Sequence, residues 1–211
     1  MDTKDKLLLI LDLDETLIHA SSKELDRPAD FTLFDYHIYI RPYLAEFLVG
    51  CSQHFRLAIW SSASDDYVAE VTKRIIPASI PLDFVWGRSR CTYCFDFKNA
   101  AFEDSGYTGY YNHYDYVKVL KKLRRRGYDL DRVLIVDDTP SKAKRNYGNA
   151  IYPREYHGQL HDNELILLLR YLAQFKDVDN VRSIEKRDWQ NRVALTGELS
   201  NTSRIRLLTP E

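Results

Sequence analysis

Apolar and polar positions along the chain alternate between short, mostly apolar runs and longer stretches with one apolar face. Leu7–Leu11, Phe55–Trp60 and Arg132–Val136 are runs of the kind that form strands buried on both faces. Asp83-Phe84-Val85-Trp86 predicts a shorter strand between the second and third of these, and Asn149–Tyr152 predicts a fifth, closed by Pro153. Helical spacing lies between them. Arg41-Pro42 opens a helix with Leu44, Phe47, Leu48 and Cys51 on one face, and Ser64 or Asp65 caps another that carries Val68, Val71 and Ile75. Tyr114–Arg126 reads as a helix with Tyr116, Leu120 and Leu123 inward, stopped by Gly127. Asp162 or Asn163 caps a last helix through Leu165, Leu168, Leu169 and Leu172. Phe31–Ile40 alternates with period two and predicts a hairpin or edge strand outside the main sheet. Strands alternating with helices predict an α/β fold, Rossmann-like, with a mostly parallel sheet covered by helices on both faces.

From Arg88 to His113 no helical period survives, and Tyr93, Phe95, Phe97, Phe102, Tyr107, Tyr110 and Tyr111 crowd the segment. It reads as an aromatic-rich insertion over the sheet edge, near the active site. The organisation expected is one domain over 1–188, with the insertion at about 88–113, and a polar tail over 189–211 that is mobile or partly docked. Apolar residues at 45%, charged residues at 29% and a formal net charge of -1 leave no global attraction to nucleic acid or anionic membrane. The basic run from Lys121 to Arg126 reads as a solvated helix face. Three cysteines cannot all pair within one chain, and Cys91-Thr92-Tyr93-Cys94 has no second ligand pair for zinc. With no apolar run near the ~20 residues of a membrane span, the expectation is a soluble, intracellular protein with no membrane partner.

Three strands end in polar residues at what should be one sheet edge. Asp12 and Asp14 follow the first, Ser61 and Ser62 the second, and Asp137-Asp138 the fourth. In open α/β sheets that edge is the ligand site. Four carboxylates with oxygen-type companions suit a hard cation such as Mg²⁺, which protein carboxylates and substrate phosphate usually hold together. Lys118, inside Tyr116-Val117-Lys118-Val119, adds a point charge for an anion.

Asp12-Leu13-Asp14-Glu15-Thr16-Leu17, Ser61, Lys118 and Asp137-Asp138 resemble, in order and context, the four motifs of the haloacid-dehalogenase superfamily of aspartate-based phosphatases. Asp12 to His19, Arg41-Pro42-Tyr43-Leu44-Ala45-Glu46-Phe47-Leu48, Tyr116-Val117-Lys118 and Val133–Asp138 are similar to one branch, the C-terminal-domain phosphatases or NLI-interacting-factor family. The resemblance runs from about Leu7 to Ser183. It implies hydrolysis of phosphoserine or phosphothreonine in proteins, with Asp12 as nucleophile, Asp14 as general acid and then base, and Thr16 fixing the Asp14 turn. It further implies Mg²⁺ held by the Asp12 carboxylate, the Asp14 main-chain carbonyl and the Asp138 carboxylate. Ser61 and Lys118 would hold phosphoryl oxygens, with Ser62 alongside them, while Asp137 orients Lys118 and Arg88 touches substrate. Phe31–Ile40 is shorter than the corresponding hairpin of the polymerase-tail members, and the 88–113 insertion is longer and more aromatic.

Two alternatives follow from the same residues. The aromatic insertion suits a small phosphate ester or a nucleic-acid phosphate end, because bases stack on aromatic faces. The fold could also serve as a catalytically silent adaptor. No phosphate-loop or dinucleotide glycine motif is present, which argues against a kinase or a dehydrogenase.

Overall fold

The computed structural model describes residues 6–95, 114–146 and 148–193. Its centre is a five-stranded parallel sheet of β1 (Leu7–Leu11), β5 (Phe55–Trp60), β6 (Leu82–Trp86), β9 (Val133–Val136) and β10 (Ala150–Ile151), in the order β10-β9-β1-β5-β6. The innermost strand is β1, with Leu9 paired to Leu57 on one side and to Leu134 on the other. That position explains why all five of its residues are apolar: neighbours cover both its edges and both its faces.

Alternate residues of β1 feed two cores. Leu7, Leu9 and Leu11 face α1 (Leu44–His54), α2 (Asp65–Ile75) and α5 (Glu164–Leu172), whose predicted apolar faces lie in the same cluster. Leu8 and Ile10 face Trp60, Phe84 and Trp86, and the short helices α3 (Lys121–Arg124) and α4 (Pro140–Ala143) supply Leu123 and Ala143. Helices therefore cover both faces, as the alternating pattern predicts. The expected hairpin is present and lies outside the main sheet. Its strands β3 (Phe31–Leu33) and β4 (Tyr36–Ile40) pair antiparallel, and β2 (Ile18–Ser21), which follows the acidic motif, completes a three-stranded sheet.

Two expectations are corrected. Tyr114–Val117 is a strand, β8, antiparallel to β7 (Thr92–Phe95), and only Lys121–Arg124 of the expected helix is helical. Tyr114-Asp115-Tyr116-Val117 satisfies period two as well as a helical period, and a partner strand about twenty residues away in sequence decides between them. Lys118 consequently lies just beyond a strand rather than at the start of a helix. The helix expected at Arg41-Pro42 begins at Leu44, because Tyr43 takes a left-handed backbone with φ 66°. Residues 189–193, where the expected tail begins, pack on the core. Trp189 is 1% exposed, and its indole N–H donates to the Tyr152 carbonyl at 2.9 Å. Most of the aromatic insertion, including Phe97, Phe102, Tyr107, Tyr110 and Tyr111, lies outside the described residues. No helix among the described residues is long and apolar enough to cross a membrane.

Candidate active site

Sheet hydrogen bonding continues one residue past three strands, and this fixes the polar residues that follow. The Asp12 N–H donates to Val136, Ser61 to Trp86 and Asp137 to Ile151, at 3.0, 2.9 and 3.2 Å. The polar residues of β9, β1 and β5 thus sit side by side on one rigid edge.

Lys118 reaches this edge from the connection after β8. Its ammonium is fully buried and lies 2.7 Å from Asp12 Oδ2 and 2.7 Å from Asp137 Oδ2. Burial alone would push the lysine down, but the two carboxylates hold it above its usual value, so it stays charged. One ammonium cannot neutralise two acids. Burial, offset in part by Lys118 and reinforced by Asp137, pushes Asp12 up to about 7. Asp137 is engaged at both oxygens, since Thr139 N–H donates to Oδ1 at 2.9 Å.

Asp14 looks the other way. Tyr67 OH donates to its Oδ1 at 2.7 Å and Ser61 Oγ to its Oδ2 at 3.4 Å. Burial raises the Asp14 carboxyl above the ordinary range, and the Tyr67 hydrogen bond opposes that shift. Ser61 is itself oriented by the Ala63 N–H, at 3.0 Å. Thr16, in the loop after β1, reaches the residue that follows β9: its hydroxyl donates to Asp138 Oδ1 at 2.9 Å and accepts from the Asp138 N–H at 3.2 Å. Thr139 Oγ1 donates to the second Asp138 oxygen at 2.8 Å.

Asp12, Asp137 and Asp138 each place a carboxylate oxygen within 4.8 Å of the others, and all three residues are buried. An all-oxygen cluster with more negative charge than its lysine offsets fits a hard divalent cation of the Mg²⁺ type. The Asp14 carboxylate is committed to Tyr67 and Ser61, which leaves only its main chain available to such an ion.

The second strand end leads outward. Arg88 Nε donates to the Ser62 carbonyl at 2.9 Å, and its guanidinium lies 5.0 Å over the Tyr116 ring. Ser62 thus joins the arrangement through its carbonyl. Arg88 and Asp14 line one cavity, of about 520 Å³, with Phe34, Tyr36 and Tyr67.

Three contributors were not singled out from sequence. Tyr67 was hidden by its neighbour Val68, which carries the helical pattern, although Tyr67 lies in the first turn after Ser61. Lys142, on α4 just after Asp138, is held above its usual value by Asp12, Asp137 and Asp138 against the downward pull of burial. Arg41 does more than open a helix or mark the family-like run Arg41–Leu48. It is fully buried, pairs with both oxygens of Asp162 at 2.9 Å and donates to the Thr16 carbonyl at 2.9 Å, which staples the acidic loop to the start of α5.

A parallel α/β sheet with acids on adjacent strand ends and a buried lysine between them defines the haloacid-dehalogenase type of fold. Within that class the chain belongs to the NLI interacting factor-like phosphatases, whose family model matches residues 7–182. Among its relatives, the human carboxy-terminal domain RNA polymerase II polypeptide A small phosphatase 1 is 30% identical over 188 residues, covering 85% of this chain and 63% of that one. The CTD small phosphatase-like protein 2 of Dictyostelium discoideum is 28% identical over 184 residues, or 84% of this chain and 29% of its own length. A CTD nuclear envelope phosphatase 1 homolog of Caenorhabditis elegans is 28% identical over 203 residues, covering 89% and 74%. The chain therefore spans less than two thirds of the first two relatives. The fission yeast RNA polymerase II CTD phosphatase Fcp1, solved with beryllium fluoride, superposes with a TM-score of 0.50 at 20% identity over 90% of this chain and 51% of that one.

Proposed function

We propose that this chain is a Mg²⁺-dependent phosphomonoesterase that acts on phosphoserine or phosphothreonine in proteins and forms an aspartyl-phosphate on Asp12. The observation that carries the reading is the buried Lys118 ammonium shared by Asp12 and Asp137, beside an Asp14 whose carboxylate is turned to a different set of partners. It gives two acids two residues apart different partners, an ammonium for Asp12 and hydroxyls for Asp14, as the separate roles of nucleophile and general acid require.

In the first step an Asp12 oxygen bonds to phosphorus, the bond from phosphorus to the substrate oxygen breaks, and the Asp14 proton moves to the departing alkoxide. In the second, water gives its proton to Asp14 and attacks phosphorus, the bond to Asp12 breaks, and inorganic phosphate leaves. Lys118 favours the ionised form of Asp12 against the pull of burial and, with Ser61, offers donors to the phosphoryl oxygens. Tyr67 holds Asp14 in place between the steps. Thr16 holds Asp138 for the ion and Asp137 holds Lys118. The carboxylates of Asp12 and Asp138 and the main-chain carbonyl of Asp14 would hold Mg²⁺, which when bound supplies positive charge to the transferring phosphoryl group.

Relatives named as phosphatases of the RNA polymerase II C-terminal domain support a phosphoprotein substrate for this chain. The test is turnover of p-nitrophenyl phosphate, phosphoserine peptides and end-phosphorylated oligonucleotides with Mg²⁺, for the wild type and for Asp12→Asn. The expectation is peptide and aryl phosphate hydrolysis that the substitution and excess chelator each abolish while the folded spectrum is kept. Undiminished turnover in Asp12→Asn would overturn the mechanism. A preference for the oligonucleotides would overturn the substrate class.

A further inference from the structure

A second cavity, of about 290 Å³, lies at the amino edge of the sheet, away from the acids. Asn149, just before β10, lines it, and its side-chain amide donates to the carbonyl of Leu130 at 2.6 Å and to that of Val133, the first residue of β9, at 2.8 Å. Asp137 follows the last residue of the same strand. The length of β9, about 13 Å at 3.3 Å per residue, therefore separates this cavity from the catalytic edge.

Three separate segments bring cations to it. Lys121 and Arg124 come from α3, Arg145 from just after α4, and Arg182 from the short turn Val181–Ser183. No acidic residue lines the cavity. Among the described residues Lys121, Arg124 and Arg145 make no ion pair, and Arg182 pairs only with Asp131, at 3.7 Å. Like charges gathered without counterions repel one another, and packing does not require them, since all four residues are exposed. The frame beneath them is nevertheless fixed. Asn146 is buried, lines the same cavity, donates to the Lys118 carbonyl at 2.5 Å and accepts from the Leu120 N–H at 3.0 Å. Gly148, with φ 81°, turns the chain under Arg182, and a Cβ there would lie 3.2 Å from that of the arginine.

The charges and the walls define the ligand. Three uncompensated positive charges match two phosphate groups, each carrying about −1.5 to −2 near neutral pH. Guanidinium forks pair with phosphate oxygens two at a time. No aromatic ring lines the cavity, so nothing there stacks on a base, and the phosphates themselves are what the site can recognise.

We propose that this cavity is a second anion site, separate from the catalytic edge, that takes a diphosphate group, either as free pyrophosphate or as the end of a nucleoside diphosphate. The proposal does not depend on the catalytic reading of Asp12 and Asp14.

Calorimetric titration of the full chain in metal-depleted buffer tests it, with pyrophosphate, ADP, AMP and inorganic phosphate as probes. One pyrophosphate should bind per chain, with AMP and inorganic phosphate at least about tenfold weaker. Arg124→Ala and Arg145→Ala should each weaken pyrophosphate about tenfold or more, and Arg145→Lys, which keeps the charge and loses the fork, should weaken it as well. Arg125→Ala removes an equal charge from the same basic run outside the cavity and should change the affinity little. All three arginines are exposed, so the variants should keep the folded spectrum. Binding of ADP at least as tight as that of pyrophosphate assigns the nucleotide as the source, and weaker binding of ADP assigns the inorganic ion; both uphold the class. No saturable binding, or a loss in Arg125→Ala as large as in Arg145→Ala, overturns the proposal and leaves only a diffuse basic surface. AMP bound as tightly as ADP overturns it too, since the second phosphate is then not read.

Discussion

Replacing Lys118 by methionine removes one buried charge and little volume, and its consequences follow from the geometry around it. The ammonium is fully buried and 2.7 Å from an oxygen of each of two carboxylates. Removing one partner of a buried ion pair costs about 3–5 kcal/mol, because the charge left behind has lost its water and its counterion. Here two charges are left. The cost nevertheless depends on pH, since a buried carboxylate without a cation takes a proton instead. Asp12 is already pushed up to about 7, chiefly by burial, with the lysine in place, and it rises further without it. A carboxylate whose folded pKa lies above the ~3.9 of the unfolded chain binds more protons when folded. Stability from that group is fully present below the unfolded value and is lost as pH rises through the folded one. The deficit of Lys118→Met should therefore be small near pH 5 and largest at pH 8.

Urea unfolding in excess chelator at pH 5, 6, 7 and 8 measures this without interference from a bound cation. Adding Asp137→Asn removes one of the two stranded charges, so the double variant should recover part of the stability at pH 8 and none of the activity. Aryl phosphate turnover at neutral pH should fall about a hundredfold or more in both, since the nucleophile is protonated and a donor to the phosphoryl oxygens is gone. Equal unfolding free energies for wild type and Lys118→Met at pH 8, or a deficit that is the same at pH 5 and pH 8, would refute the assignment of the lysine as the counterion of this pair.

Three further substitutions probe the surroundings. Thr16→Val keeps the shape of the side chain but strips Asp138 of a 2.9 Å hydrogen bond; the expected cost is about 1–3 kcal/mol in urea melts, with a higher Mg²⁺ concentration for half-maximal turnover. Tyr67→Phe removes the hydrogen bond that opposes the upward shift of Asp14; the alkaline limb of the kcat profile, where the general acid is lost, should move to higher pH, and a move to lower pH would contradict the role given to Asp14. Arg41→Met leaves the largely buried Asp162 without its cation and the Thr16 carbonyl without a donor; unfolding should cost about 3–5 kcal/mol, and an unchanged melt would show that this pair contributes nothing net.

What was legible in the sequence was what a buried parallel sheet imposes locally. β1 and β9 are apolar throughout, and β5 is apolar but for Arg56, because neighbours enclose them, so the change to Asp12, Ser61 and Asp137 marks the strand ends without knowledge of the pairing. The hairpin and the three main helices carry equally local signals. Tyr114–Val117 was not legible, because Tyr116, Leu120 and Leu123 fall at helical spacing and the ladder partner Thr92–Phe95 lies across the insertion. Pairing is a tertiary fact, and a four-residue window cannot supply it. Tyr67, Lys142 and Arg41 escaped for the same reason: each acts through a residue that only the fold brings near, such as Asp162, 121 positions from Arg41.

That difference bears on how the molecule is built. Asp12, Ser61 and Asp137 stand on three adjacent strands whose hydrogen bonds continue past them into the site, so none can shift without disturbing the sheet. Phe34 and Asp66 stand on a hairpin tip and an exposed helix turn, outside the strands. Residues held by sheet hydrogen bonds suit bond making at phosphorus, where small displacements cost large factors in rate. Residues on exposed tips suit recognition of the substrate around its phosphate, where a change alters affinity and leaves the sheet intact. Substitutions in the hairpin should therefore redirect substrate choice at little cost in stability, whereas substitutions at the strand ends should alter activity and stability together.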